Sequence, residues 1–275
     1  MKLLEFDNNP KIKNRLYERK KRIIDANLDI IQDKKIIDIA SNNGRWSFAA
    51  VEAGAQLVHS IEGRIDKVAE AKAHFKRLDV NDKIRTNTGD LYNWLYDNQR
   101  INVDTIFCLG IFYHITDHYH LLKLMARTNA KSIIIDSGFV RSFKNMVHIQ
   151  AENPKLHRNA LPEFEDQEQE LVGFISLGML IQLSWNLGYT CRPVSWNPKE
   201  VEYKNEVQDY MMGRRYTVRL DKMQHFHDSN WQSYWKDELV KINPKFSGLF
   251  DKTTHDSVSD DRQRSSLRNS SITIY

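Results

Sequence analysis

Between Lys35 and Gly138, short β-branched runs alternate with helical stretches, and no other feature of the chain narrows its folding as much. KIIDIA, QLVHSIE, KIRTNTG, VDTIFCL and SIIIDS each read as a buried strand, because short apolar runs bounded by turn residues suit a sheet covered on both faces. WSFAAVEAG, closed by Gly54, and then KVAEAKAHFKRL, LYNWLYDN and YHLLKLMART lie between them with helical character. Strands joined through helices run parallel with right-handed crossovers, so the predicted fold is α/β, a doubly wound and mostly parallel sheet.

The flanks complete the plan. Residues 1–33 are polar and basic, and Leu16, Ile23, Ile24, Leu28 and Ile31 behind Pro10 predict one or two amphipathic helices as an N-terminal extension. Their charged run Lys20, Lys21 and Arg22 is expected on a solvated face. The main domain is predicted over 34–251. SLGMLIQLSWNLGY reads as a helix stopped by Gly188, and TCRPVSW and GRRYTVRL read as strands able to complete the sheet as a final antiparallel pair. The polar segment 138–170 interrupts this pattern at a carboxyl strand end, where ligand-site loops of open α/β sheets gather, so it reads as a substrate lid or as a structural insertion. Residues 252–275 are too poor in apolar side chains to fold alone and are expected to trail, mobile or loosely docked.

Composition removes several function classes. The net charge is only +4, from 40 Lys and Arg against 36 Asp and Glu, which allows an anionic partner but lacks the excess of a general nucleic-acid binder. MKLLEFDNNPKIKN has no apolar core or small-residue cleavage site, and VGFISLGMLIQLSW is too short to span a bilayer and is broken by Gln182, so no membrane role and a cytoplasmic location are expected. Cys108 and Cys191 each sit in an apolar run and read as reduced core residues. His148, His157, His225 and His227 show no ligand spacing with acids or cysteines, so no metal is predicted.

The chemistry concentrates where the first strand ends. Asp38-Ile39-Ala40-Ser41-Asn42-Asn43-Gly44 is a tight turn of small residues before a helix that opens at Arg45, an arrangement that lets a ligand approach bare backbone amides. Glu62 ends the second strand, close to the ~20-residue spacing at which dinucleotide folds place an acid on ribose hydroxyls, and it is the candidate ribose clamp. The turn is neither the G-x-G-x-x-G of a dinucleotide site nor a phosphate loop, which leaves a nucleoside without a phosphate chain.

IIDIASNNGRWSFAAVEAGAQLVHSIEGR resembles the opening of a class I S-adenosylmethionine-dependent methyltransferase, whose pattern is Asp-x-Gly-x-Gly-x-Gly with an acid ending the second strand. Asp38 and Gly44 match it directly. Ala40 and Asn42 stand where the first two glycines are usual; both are small, and Asn tolerates left-handed backbone. Gly89-Asp90 falls where the family carries an acid near the adenine amine, with Leu91 placed to pack on the ring; Asp90 also reads as the N-cap of LYNWLYDN. The run Asp104 to His114 resembles the fourth-strand motif, with Leu109 at the cofactor, and SIIIDSG resembles the fifth strand.

The resemblance implies a Rossmann-like domain, S-adenosyl-L-methionine as cofactor, and in-line methyl transfer that needs positioning and water exclusion but no metal. It covers 35–138 and, more weakly, 171–220. Arg45 and Trp46 are candidates to pair with the cofactor carboxylate and cover its pocket. His114, titratable near neutral pH, is the candidate general base, or else a histidine capping the strand. Tyr113 lines the methyl-transfer pocket or belongs to the core. Asp209, Tyr210, Arg214 and Arg215 suit an anionic acceptor held by bidentate contacts, or form a plain hairpin with surface arginines. The expected acceptor is a small or sugar-like molecule, and the arginines leave room for an anionic one. LGIFYHITDH also resembles enzymes that modify the wobble uridine of tRNA, and the altered turn leaves room for a non-catalytic protein that binds the nucleoside.

Overall fold

The computed structural model of the chain describes residues 2–154, 168–223, 237, 240 and 271–274. Five strands form in the predicted places: β1 (Lys35–Ile39), β2 (Leu57–Glu62), β3 (Ile84–Thr88), β4 (Thr105–Leu109) and β5 (Ser132–Gly138). Four helices join them: α2 (Arg45–Glu52), α3 (Ile65–Arg77), α4 (Leu91–Asp97) and α5 (His118–Arg127), behind an N-terminal helix α1 (Pro10–Ile23). Pro10 stands at the start of α1, and Asn9 caps it by accepting from Lys11 N at 3.0 Å.

Two further strands, β8 (Tyr189–Pro193) and β9 (Arg215–Lys222), follow α6 (Leu177–Asn186). The sheet has seven strands in the order β3-β2-β1-β4-β5-β9-β8. β1 to β5 pair in parallel, while β9 enters antiparallel between β5 and β8, so the expected antiparallel pair does complete the sheet.

Strand alternation explains why both faces are covered. Ile37, Ile39, Ile106, Cys108, Ile133 and Ile135 enter one core with α5 and α6, whereas Ile36, Val58, Phe107 and Ile134 enter the other with α2, α3 and the N-terminal segment. Cys108 and Cys191 are free and buried, and burial pushes both thiols up. Among the described residues no helix is long and apolar enough to cross a membrane.

Three expectations need correction. Arg22 is not solvated: it is buried against Glu18, donates to Glu200 O and lies 5.0 Å from the Trp196 ring. The described part of 138–170 is not a plain loop, because β6 (Val147–Glu152) pairs antiparallel with β7 (Glu170–Ile175); residues 155–167 lie outside the described residues. The tail does not simply trail either, since β10 (Ser271–Ile274) pairs antiparallel with β6 and makes a second, three-stranded sheet; 252–270 and Tyr275 lie outside the described residues.

Candidate functional site

The turn after β1 takes left-handed backbone at three positions. Ala40, Asn42 and Gly44 have φ of 50°, 53° and 77°. Asn takes this conformation readily, and Ala does so at a cost of about 1–2 kcal/mol, so the turn closes without its two usual glycines. Gly44 has no such latitude, since a Cβ there would come 2.2 Å from the Phe75 ring. The turn is tied down by Ser41 N donating to Ile61 O and by a 2.8 Å hydrogen bond from Ser60 Oγ to Ser41 Oγ.

Two carboxyl groups face this turn with different roles. Asp38 is fully buried and accepts from Ser47 Oγ at 2.6 Å; burial, with Glu62 nearby, pushes its pKa up to about 7. Glu62 accepts from Asn42 N at 2.7 Å and from Arg64 N at 2.9 Å. Each Glu62 oxygen thus has acceptor capacity left at the carboxyl end of β2, suited to hydroxyl donors. Asp90 caps α4 by accepting from Asn93 N at 2.9 Å, beside the half-buried Leu91, at the end of the adjacent β3. Asp38, Ala40, Asn42, Gly44, Glu62, Asp90 and Leu91 therefore line the carboxyl ends of β1, β2 and β3.

On the other side of the turn, Trp46 is buried beneath the guanidinium of Arg19, which lies 4.9 Å from its ring. Arg45 donates from Nε to Asn43 Oδ1 at 2.9 Å, and burial together with the Arg19 charge lowers its pKa. The helix that carries Arg19 was predicted, but Arg19 itself was not singled out, because an arginine in a mixed-charge helix carries no motif.

Leu109 ends β4, and the N of the following Gly110 donates to Asp136 O at 2.9 Å. Phe112–His114 then form a 3₁₀ turn, with the Tyr113 and His114 rings 4.0 Å apart. Phe174 of β7 stacks on Tyr113 at 5.5 Å, so the smaller sheet lies against the end of β4.

Asp136, at the end of β5, is the centre that sequence reading overlooked. Its Oδ1 accepts from Arg19 Nη2 at 2.9 Å and from Arg215 Nε at 2.7 Å; its Oδ2 accepts from the Tyr210 hydroxyl at 2.8 Å and from Thr217 Oγ1 at 2.7 Å. Although burial opposes the charge, Arg19 and Arg215 hold this carboxyl well below the usual carboxylate range. The Arg215 guanidinium lies 5.7 Å from both the Tyr113 and the Tyr210 rings. Arg214 points elsewhere: it is exposed and donates to Met212 Sδ. Strand alternation separates the two arginines, and only Arg215 turns into the site. The one signal available in the sequence was SIIIDSG itself, an acid at a buried strand end.

Among the described residues no group of three or more His, Cys, Asp or Glu side chains is arranged to hold a metal ion; His157, His225 and His227 lie outside the described residues.

No protein-family profile matches the sequence, and a comparison with curated proteins finds no match. Solved structures do match in fold. The N-terminal domain of EvdMO1 with SAH bound superposes with a TM-score of 0.53 at 16% identity, covering 79% of this chain and 82% of that one. The same domain in the presence of SAH and D-fucose gives 0.54. An S-adenosylmethionine-dependent methyltransferase from Mesorhizobium loti gives 0.50 at 11% identity, covering 70% of this chain and 93% of that one. With its strand order and its antiparallel β9, the chain has the Rossmann-like fold of the class I S-adenosylmethionine-dependent methyltransferases.

Proposed function

We propose that the protein is an S-adenosylmethionine-dependent methyltransferase acting on a small or sugar-like acceptor. The observation that carries this reading is the turn Asp38 to Gly44, left-handed at residues 40, 42 and 44, with the Glu62 carboxylate beside it on the next strand. That arrangement fits a nucleoside: the turn presents backbone, and Glu62 offers acceptors to ribose hydroxyls. Asp90 and Leu91 suit the adenine edge and face, Leu109 the middle of the cofactor, and Arg45 with Trp46 its amino-acid end. The cofactor, when bound, supplies a methyl group on a sulfonium sulfur.

The chain's own residues orient the acceptor and exclude water. Tyr113 and the Phe174 stacked on it cover the β4 end, while His114 beside Tyr113 is the group able to take a proton from an acceptor hydroxyl. Of the candidate acceptor residues Tyr210, Arg214 and Arg215, Tyr210 and Arg215 are kept, since Arg214 points away from the site. The small sheet of β6, β7 and β10 is the lid, a form that suits a molecule enclosed whole. A neighbour in fold solved in the presence of SAH and D-fucose supports a sugar-like acceptor.

Transfer of label from S-adenosylmethionine tests this. Incubation with a low-molecular-weight cell extract, and separately with total RNA, is expected to place the methyl in the small-molecule fraction. Label confined to nuclease-sensitive material establishes tRNA or another RNA as the acceptor instead. Tight SAH binding with no transfer to either fraction makes the protein a non-catalytic binder.

A further inference from the structure

The β5 end holds more positive charge than its acids neutralise. Arg19 and Arg215 converge on the single carboxylate of Asp136. Arg15 adds nothing to the balance, because Asp209 pairs with it at 2.6 Å. Two guanidinium groups thus share one carboxylate, which leaves a net positive charge beside Asp136. Arg19 is also incompletely satisfied: its Nε is buried and has no hydrogen-bond partner among the described residues. An unmet buried donor of this kind is costly, and an incoming acceptor atom removes the cost.

Position gives this excess a direction. Arg215 lies against the β4 end, where a Cβ on Gly110 would come 3.7 Å from its Nη2, and it flanks the Tyr113 ring. Arg19 reaches the same place from the N-terminal helix, spanning from Trp46 beside the cofactor turn to Asp136. Asp136 is already saturated by four side chains, so it fixes the two guanidinium groups rather than accepting a ligand. Cations gathered beside a sulfonium cofactor repel it unless the acceptor brings negative charge.

We infer that Arg19 of the N-terminal helix and Arg215 of β9 form an oxyanion clamp for a carboxylate or phosphate on the acceptor, with Asp136 as their positioning residue. This rests on the methyltransferase reading above and adds to it the chemical class of the acceptor and a residue outside the sheet. Planar guanidinium forks suit both oxyanions.

The test is calorimetric titration of inorganic phosphate, and in a second arm malonate, into the full chain saturated with SAH at fixed ionic strength. The wild type is expected to bind at least one anion at a single site, and the stronger arm identifies the oxyanion. Arg19→Gln should weaken that binding at least tenfold in protein that still binds SAH, with a lowered thermal melt because buried Asp136 loses one of its two cations. Arg19→Lys keeps a cation beside Asp136 without the fork; it should fold and fall between the two. Equal anion affinity in wild type and Arg19→Gln, or no saturable binding in either arm, overturns the clamp. If the wild type fails to bind SAH, the methyltransferase reading fails by itself, and the same titrations of the free chain still report on Arg19 and Arg215.

Discussion

At the scale of single residues, the turn after β1 shows how a glycine pattern can be kept in backbone while being lost in sequence. Ala40 and Asn42 adopt the left-handed angles that glycines usually supply, whereas Gly44 is fixed by both its φ and the Phe75 ring. Ala40→Gly is therefore expected to keep the fold and SAH binding, since it relieves a left-handed alanine. Ala40→Val forces a β-branched residue into that region and Gly44→Ala drives a methyl into Phe75, so both should lose SAH binding, as read by calorimetry alongside a thermal melt. Asp38 makes a second prediction. Its pKa rises from the ordinary 3.8 to about 7 on folding, so the folded protein takes up a proton there. Its favourable contribution is complete below pH 3.8 and disappears as the pH climbs through 7, with a slope of at most about 1.4 kcal/mol per pH unit. Denaturant titrations at pH 5 and pH 8 should show Asp38→Asn gaining on the wild type at the higher pH. Parallel changes in the two proteins would show that Asp38 ionises freely. Asp136 has the opposite sign: its stabilisation is present at neutral pH and disappears as the pH falls through and below the usual carboxylate range.

At the scale of elements, the central strands and their helices were readable because each strand carries its own apolar run and each crossover its own periodicity. The antiparallel pair β8 and β9 was readable for the same reason, although its insertion order, β9 beside β5, is decided by pairing at a distance. The strands β6 and β7 were not readable. VHIQAE lies within a polar segment and is half-buried apart from Ala151, and ELVGFI runs straight into the helix Leu177–Asn186, so its apolar residues were read with those of the helix as one apolar stretch. β10 was hidden for a related reason, since four residues at the end of a polar tail gain a strand only from β6. The placement of Phe174 on Tyr113 ties this small sheet to the candidate methyl-transfer end. Hydrogen exchange should therefore show added protection of 147–152 and 170–175 when SAH and an acceptor are both present. Protection unchanged by ligands would mean the sheet is a fixed support and not a lid.

At the scale of the molecule, the N-terminal helix is the part whose purpose emerged only in three dimensions. Arg15 and Arg19 project from α1 to Asp209 and Asp136, and Arg22 donates to Glu200 O, which binds the extension to the segments at the carboxyl end of the sheet. Glu18 in turn accepts from Glu202 N and Tyr203 N, so the segment before Tyr210 is held by the same helix. The cofactor half of the candidate site was legible because its residues follow one another along the chain in strand order. The acceptor half was legible only as Tyr210 and Arg215, because Asp136, Arg19 and Arg215 come from three distant segments and meet only on folding. The central claim is that the β1 turn with Glu62 is a nucleoside site for S-adenosylmethionine. Calorimetry of SAH with the wild type and with Glu62→Ala tests it most directly. The account predicts one site per chain in the wild type and a loss of about 1–3 kcal/mol in the variant, as buried ribose donors go unpaired. Undiminished affinity in Glu62→Ala, or no binding by the wild type, would contradict it.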